Sequence, residues 1–354
     1  MSLIKKFTIA AFIIFLISGC SGNNFDRSLI LENVTNNLII PAYEDFNQTA
    51  DALHSSSLTF TENPSPQTLA DLKTAWERSI KSWKRAEVYN FGPVESLVLV
   101  TAIDRWPTSE RGIEQAIEDF DRSDDYLIRI GSNRKGLPAI EYLLFHDEGP
   151  VILEEFSDAD RKTYLNLLTE ALTQHSSAIL EEWNSGYAEE FISKTGNEAD
   201  SGITLLANEL GYMLQKVRME KIEIPFGSQT EGTPRLQMLE SVHANLTKEL
   251  IRENLISAQQ TFNGGEGSGF DDYIAALGIE DENGELLSEA VNREYENAFL
   301  ILDEIDGSLE DAILNQKSTV QELIDSINQL YIYTDIDMIS QLGILTVFSD
   351  NDGD

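Results

Sequence analysis

The clearest sign of the fold class is in residues 66–93, which read PQTLADLKTAWERSIKSWKRAEVYNFGP. The large apolar side chains recur every three or four residues, which places them on one face of an α-helix: Leu69, Leu72, Trp76, Ile80 and Trp83. Pro66 suits a first helical turn, and the Gly92-Pro93 pair ends the pattern. The stretch therefore predicts a long amphipathic helix that packs against other helices.

The same spacing recurs along the rest of the chain. It predicts further helices over 165–179, 206–217, 236–250 and 320–331, with Ser157-Asp-Ala-Asp160 resembling a cap for the first of them. No segment shows the alternation of apolar and polar residues that is typical of a strand. We therefore predict an all-α chain of up-and-down bundles.

The clearest break in the pattern lies between Pro225 and Pro234. We place a boundary there, giving an N-terminal helical domain over 26–225 and a C-terminal one over 226–354. Helices that cross over between the two bundles remain an alternative.

Composition excludes several classes of function. The 354 residues include 61 acidic and 25 basic side chains, a formal net charge of −36. Such a surface repels phosphates, so we expect no nucleic-acid partner. The single cysteine permits neither an intrachain disulfide nor a cysteine-rich zinc or iron–sulfur site.

The first residues predict an export signal. Lys5 and Lys6 precede an apolar stretch too short to span a bilayer comfortably, and Ile17-Ser-Gly-Cys20 resembles a bacterial lipobox. We expect a signal peptide over 1–19, a lipidated Cys20 and a tether over 20–25, so that a lipid anchor holds the body to a membrane. An ordinary signal followed by a structural cysteine is the alternative.

Two acidic residues stand beside aromatic or apolar positions. Glu87 follows Trp83 by four residues and shares its helical face, and Asp104 follows the apolar run 94–103. A buried carboxylate must find a partner or change its protonation state. The partner of Glu87 is an arginine, a lysine or a metal, and the alternative for Asp104 is a helix cap or turn residue.

A third acid lies in Gly136–Phe145, which reads GLPAIEYLLF. Glu141 borders the apolar face of this predicted helix, and burial alone makes it a candidate site residue. A structural acid with a paired cation is the alternative. The four histidines show no His-Glu-x-x-His pairing, and His175 on its apolar face fits a core position.

These stretches, in this order, resemble the imelysin family of helical bacterial lipoproteins, and the resemblance covers most of the mature chain. The matching features are Tyr43 after Pro41, the Trp76 and Trp83 helix leading into Phe91-Gly-Pro93, Trp106-Pro107, the Gly136–Phe145 helix, Glu240-Ser241 opening a later helix, and the closing Phe348–Asp354.

The resemblance implies two helical domains, each like a four-helix bundle, with a site between them and a link to iron uptake. The broader superfamily has a Gly-x-His-x-x-Glu motif, which here reads Gly136, Pro138 and Glu141, so the histidine is missing. By motif position the implied metal residues are Glu87, Asp104 and Glu141, with Trp83, Trp106 and Gly136 shaping the pocket. An all-oxygen set favours iron or another hard cation, such as calcium, over zinc.

The leading hypothesis is thus a non-enzymatic, lipid-anchored envelope protein that binds a metal or a metal-containing ligand and works with iron-uptake partners. Ser21 after the lipidated cysteine points to the outer membrane, facing the periplasm. The first alternative is a metallopeptidase, which the missing histidine disfavours. The second is a scaffold or interaction protein without ligand chemistry.

Overall fold

A computed structural model describes residues 25–123 and 125–346. The predicted signal peptide, Cys20 and the closing Phe348–Asp354 lie outside the described residues. Within the described residues, all regular structure is helical apart from one isolated β-bridge between Glu280 and Leu286. The predicted all-α class is confirmed. None of the described helices has the length and apolar character needed to cross a bilayer.

The chain folds into nineteen α-helices over the described residues. They are α1 (Ser28–Val34), α2 (Ile40–Glu62), α3 (Pro66–Ala86), α4 (Pro93–Ser96), α5 (Val100–Ile103), α6 (Glu110–Glu118), α7 (Tyr126–Arg129), α8 (Gly136–Phe145), α9 (Gly149–Glu155), α10 (Ala159–Glu182), α11 (Ala188–Ser193), α12 (Gly202–Lys216), α13 (Ile224–Phe226), α14 (Thr247–Asn263), α15 (Phe270–Leu277), α16 (Leu287–Glu304), α17 (Leu309–Asn315), α18 (Lys317–Tyr331) and α19 (Ile339–Leu342).

Short segments of tighter or wider helix connect several of these. The 3₁₀ turns are Glu87–Tyr89, Ser132–Arg134 and Leu236–Met238, and the π-helical segments are Thr35–Ile39, Trp183–Tyr187, Val217–Glu223 and Ile332–Met338.

The long helices pack as two neighbouring groups. In one, α2, α3, α8 and α10 each contact the next, and α10 closes the ring on α2. In the other, α12, α14, α16 and α18 contact one another in the same cyclic way. Helix α12 precedes Pro225, yet it packs with helices that follow Pro234. The contact between α3 and α14 joins the two groups.

Helix α3 matches the prediction from residues 66–93. All five predicted apolar positions are buried: Leu69, Leu72, Trp76, Ile80 and Trp83. The helix begins at Pro66 with Ser65 as its N-cap, because the Ser65 hydroxyl accepts a hydrogen bond from the Thr68 amide at 3.2 Å. The Trp76 indole donates to the Leu137 carbonyl at 3.0 Å and so ties α3 to α8.

The helix predicted over 236–250 is wrong up to residue 246, since α14 begins only at Thr247. Residues 239–246, which we call the junction loop, form irregular turns instead. The amides of His243 and Ala244 donate to the Glu141 carboxylate, so they are not available for helical hydrogen bonds. Asn245 has a positive φ of 58°, which a helix excludes.

The N-cap of α3 gives a test of this packing. We expect Ser65→Ala to lower the free energy of unfolding by about 1 kcal/mol, because it removes the cap of the helix that carries the site. Urea denaturation measures the change. Ser55→Ala, at an exposed position inside α2, is the matched control and should lose less stability or none. Equal effects at the two serines would contradict the role of the cap.

Candidate functional site

Six buried charged side chains meet where the two helix groups join. We call them the charge cluster: Lys84, Glu87, Asp104, Lys216, Lys221 and Glu240. None is more than 7% exposed. The cluster holds three cations and three anions, so it is formally neutral. Buried charges persist only when they are paired in this way.

Lys84 lies at the centre of the charge cluster. Its ammonium nitrogen Nζ is 3.1 Å from Glu87 Oε2 and 2.5 Å from Glu240 Oε1. It also contacts Asp104 Oδ2 directly. One ammonium therefore touches all three carboxylates, which come from three separate parts of the chain.

The other two lysines and an amide complete the pairing. Lys216 Nζ lies 2.6 Å from Glu87 Oε1, and Lys221 Nζ lies 3.0 Å from Glu240. Asn254 accepts from Lys221 Nζ at 2.6 Å and donates to Glu87 Oε2 at 3.0 Å. Asn254 therefore connects α14 to both sides of the cluster.

A local change of helix type brings two of the lysines together. Residues five apart on an α-helix point about 140° away from each other. Lys216 ends α12, and the π-helical segment Val217–Glu223 follows it. Because a π-helix completes its hydrogen bonds five residues along, Lys216 and Lys221 can both reach Glu87.

Two tryptophans frame the cluster. The buried Trp83 indole donates to Asp104 Oδ2 at 3.0 Å. Trp106 is half-buried, and the ammonium groups of all three lysines lie 5.0–5.4 Å from its ring centroid. The electron-rich face of an indole attracts cations at this distance. Trp106 therefore adds a favourable contact to each of the three lysines.

The pairing controls the protonation of the cluster. Burial alone would lower the pKa of Lys84, but the surrounding carboxylates raise this pKa well above its usual value. Burial would raise the pKa of Glu87, but the lysines lower it well below its usual value. At Asp104 burial outweighs the lysines and raises the pKa, and at Lys221 burial outweighs the carboxylates and lowers it.

The charge cluster does not fit a bound metal ion. One oxygen from each of Glu87, Asp104 and Glu240 lies within 4.8 Å of the others, close enough to share one cation. The ammonium of Lys84 already occupies that position and contacts each of these carboxylates. Three lysines balance the three acids, so an added metal ion would bring uncompensated positive charge into a buried site.

Glu141 is held apart from the lysines by the junction loop. Its Oε1 accepts from the Ser241 hydroxyl at 3.0 Å, the His243 amide at 2.9 Å and the Ala244 amide at 2.8 Å. Burial raises the pKa of Glu141 to about 8, although these three hydrogen bonds act to lower it. The Glu141 carboxyl is therefore mostly protonated at neutral pH.

A small cavity of about 150 Å³ lies beside the charge cluster, and we call it the junction cavity. Its polar lining consists of Thr108, Glu110, Glu141, Gln237, Glu240 and His243, and its other lining residues are Pro107, Pro138, Leu239 and Val242. The His243 imidazole lies 3.3 Å from Glu110 Oε1. No lysine or arginine lines this cavity among the described residues.

The imelysin family model, a peptidase family by its name, matches residues 39–333. The chain belongs to the imelysin family. In this chain the charge cluster and the junction cavity lie where α3, α8 and the junction loop meet, and Pro138 occupies the third motif position before Glu141.

Relatives of this imelysin-family chain carry iron-related names. Iron-regulated protein A of Synechococcus elongatus is 23% identical over 250 residues, which cover 68% of this chain and 65% of that protein. The chain thus spans about two thirds of the length of this curated relative.

Two solved structures share the fold. An imelysin-like protein from Psychrobacter arcticum matches with a TM-score of 0.73 and 21% identity, over 91% of this chain and 97% of that one. A putative iron-regulated protein A precursor from Parabacteroides distasonis matches with a TM-score of 0.74 and 18% identity, over 88% of this chain and 94% of that one. At these identities the likeness shows the fold alone.

The structure brings two of the three predicted metal residues together. Glu87 and Asp104 both lie in the charge cluster, whereas Glu141 lines the junction cavity with Glu240 between the two sites. Of the predicted pocket residues, Trp83 and Trp106 frame the charge cluster, and Gly136 lines a different, larger cavity.

Sequence reasoning missed five residues of the charge cluster and its hydrogen-bonded partners: Lys84, Lys216, Lys221, Glu240 and Asn254. Lys216 offered a signal, because it lies within the apolar helix predicted over 206–217, whereas nothing in the pattern marked Lys84 or Lys221. Glu240 entered only through the family resemblance. Nothing in the sequence singled out Asn254.

Removing the central ammonium tests the charge cluster. We expect Lys84→Met to lower the free energy of unfolding by about 3–5 kcal/mol, because three buried carboxylates lose a shared partner. Adding Asp104→Asn should recover part of that loss, since it removes one of the unbalanced anions. Urea denaturation measures both.

Lys81→Met is the matched control, because Lys81 lies on α3 but is only half-buried. It should change stability by less than about 1 kcal/mol. A Lys84→Met variant as stable as Lys81→Met would contradict the role of Lys84.

The Glu141 carboxyl predicts a specific pH dependence. The folded protein keeps a proton on Glu141 up to about pH 8, whereas an unperturbed glutamate loses it near 4.5. The folded state therefore binds more protons than the unfolded state between pH 4.5 and about 8. The stability that protonated Glu141 contributes is fully present below pH 4.5. It is lost as the pH rises to about 8, by up to about 1.4 kcal/mol per pH unit.

Urea denaturation between pH 5 and 8 measures this slope. Glu141→Gln cannot titrate, yet its amide oxygen can still accept from the junction loop. We expect the variant to lose less stability than the wild type as the pH rises. Parallel curves for the two proteins would show that Glu141 titrates normally.

Proposed function

We propose that this imelysin-family chain is a cell-envelope protein of iron metabolism that binds a hard metal cation in the junction cavity without catalysing a reaction. The observation that carries the proposal is the lining of that cavity: Glu110, Glu141, Glu240 and His243. Carboxylate oxygens and an imidazole are donors for iron. The predicted acid set therefore changes, with Glu141 kept and Glu87 and Asp104 assigned to the structural cluster.

Electrostatics favours the junction cavity over the charge cluster. Glu110 lies 3.3 Å from the His243 imidazole, and burial lowers the pKa of His243, so this partner is neutral at pH 7. Glu141 has only hydrogen-bond donors around its Oε1. A cation there would displace the proton of Glu141, and the carboxylate that forms would have no lysine partner.

The size of the cavity suits an ion that keeps water. A water molecule takes about 30 Å³ of liquid volume, so 150 Å³ holds about five. A metal ion with part of its hydration shell fits this space. Clefts that accept drug-sized ligands have about 300–1,000 Å³, so the junction cavity favours ion binding over cleavage of a peptide.

The names of the relatives support the iron assignment. One curated relative is an iron-regulated protein, and one structural neighbour is described as the precursor of such a protein. A precursor is processed, which agrees with the signal peptide predicted over 1–19. We propose that lipid on Cys20 anchors the chain to the outer membrane, facing the periplasm, where it supplies iron to uptake partners.

Metal titration of the mature chain tests the proposal, with ferric nitrilotriacetate and Ca²⁺ as separate probes. We expect Glu141→Gln to weaken iron binding at least about tenfold, which corresponds to about 1.4 kcal/mol for a lost ligand. The affinity of the wild type should rise between pH 6.5 and 8.5, because the metal displaces the proton of Glu141.

Glu118→Gln is the control, since Glu118 lies on the same helix as Glu110 and is also exposed, but does not line the cavity. It should bind like the wild type. Equal affinity of the Glu141→Gln variant and the wild type for both probes would overturn the site.

A further inference from the structure

A second, larger cavity of about 720 Å³ opens on the side of the first helix group, and we call it the lateral cavity. It shares no lining residue with the junction cavity. Helix α10 forms one wall, and the segments 97–102 and 127–136 form the others. Its volume lies within the range of small-molecule sites.

The rim of the lateral cavity exposes unusual apolar surface. Ile128 is 82% exposed and Val98 is 74% exposed, the two highest values among the large hydrophobic side chains of the described residues. Both line this cavity, together with Leu97 at 40%. Apolar side chains gathered at one opening indicate a surface that is covered in the functional state.

The backbone at the rim is strained. Val98 has a φ of 54°, in the left-handed region that β-branched residues avoid. This conformation places an apolar side chain in solvent at an energetic cost. Strain of this kind is found at functional sites, where surrounding structure imposes it.

The floor of the cavity is apolar, and the Lys135 ammonium and the His175 imidazole lie on two of its walls, where burial lowers the pKa of His175 and keeps it neutral at pH 7. Leu168 and Leu172 are buried beneath it. Lys135 and His175 are both half-buried, and the Lys135 Nζ donates one hydrogen bond to the Leu127 carbonyl at 2.7 Å. An ammonium has three donors, so Lys135 retains two for a ligand. The remaining ionisable lining residue, Glu170, is exposed.

We propose that the lateral cavity binds a long-chain fatty acid, with its carboxylate at Lys135 and His175 and its chain along the leucines. The apolar lining, with one ammonium and one imidazole that can donate hydrogen bonds, matches an acyl chain with one anionic end. An extended peptide binds by pairing its backbone with free N–H and C=O groups of the protein. Helix α10, which forms one wall, uses these groups in its own hydrogen bonds and so offers none to a peptide.

Fluorescence titration of the mature chain with 11-(dansylamino)undecanoic acid, followed by displacement with palmitate, tests the proposal. We expect saturable binding. Ile128→Asp and Val98→Asp should each weaken it at least about tenfold, because a charge would then lie against the acyl chain. Both positions are exposed, so we expect neither variant to lower the thermal unfolding midpoint.

Ile336→Asp is the matched control, because Ile336 is half-exposed and lies away from the cavity. It should bind like the wild type. Lys135→Met should weaken palmitate but not hexadecanol, which lacks the charge. Non-saturable binding, or equal binding by the wild type and both rim variants, would overturn the proposal. If Lys135→Met weakened the binding of palmitate and of hexadecanol equally, the assigned position of the carboxylate would be wrong.

Discussion

The contact of the Lys84 ammonium with three buried carboxylates is the constraint on which the junction of the molecule depends. It joins α3 to the segment after α5 and to the junction loop. The π-helical segment after α12 then adds Lys216 and Lys221 to the same group. Because unpaired buried charges are costly, these parts of the chain must assemble together or not at all.

This pairing assigns different roles to the buried acids at the junction. Glu87 and Asp104 are structural partners of the lysines, which already balance their charge. Glu141, fixed by the junction loop, faces a cavity that no lysine or arginine lines within the described residues. Glu240 contacts both places. A bound cation would therefore lie next to the neutral cluster and not inside it.

The sequence predicted the fold class well and the site only in part. Helix α3 could be predicted because the apolar residues of 69–83 recur with a simple helical period. Burial beside aromatic residues also marked Glu87, Asp104 and Glu141. The ion-pair partners of these acids could not be predicted, because Lys84 is separated from Glu240 by more than 150 residues of chain. The junction loop has an apolar pattern like a helix, yet its amides bind Glu141 instead.

The most direct test of this account is anomalous diffraction at the iron edge from crystals of the mature chain grown with iron. The account predicts one anomalous peak in the junction cavity, near Glu141 and His243, with the Lys84 ammonium still among its carboxylates. A peak between Glu87, Asp104 and Glu240, with Lys84 displaced, would contradict it.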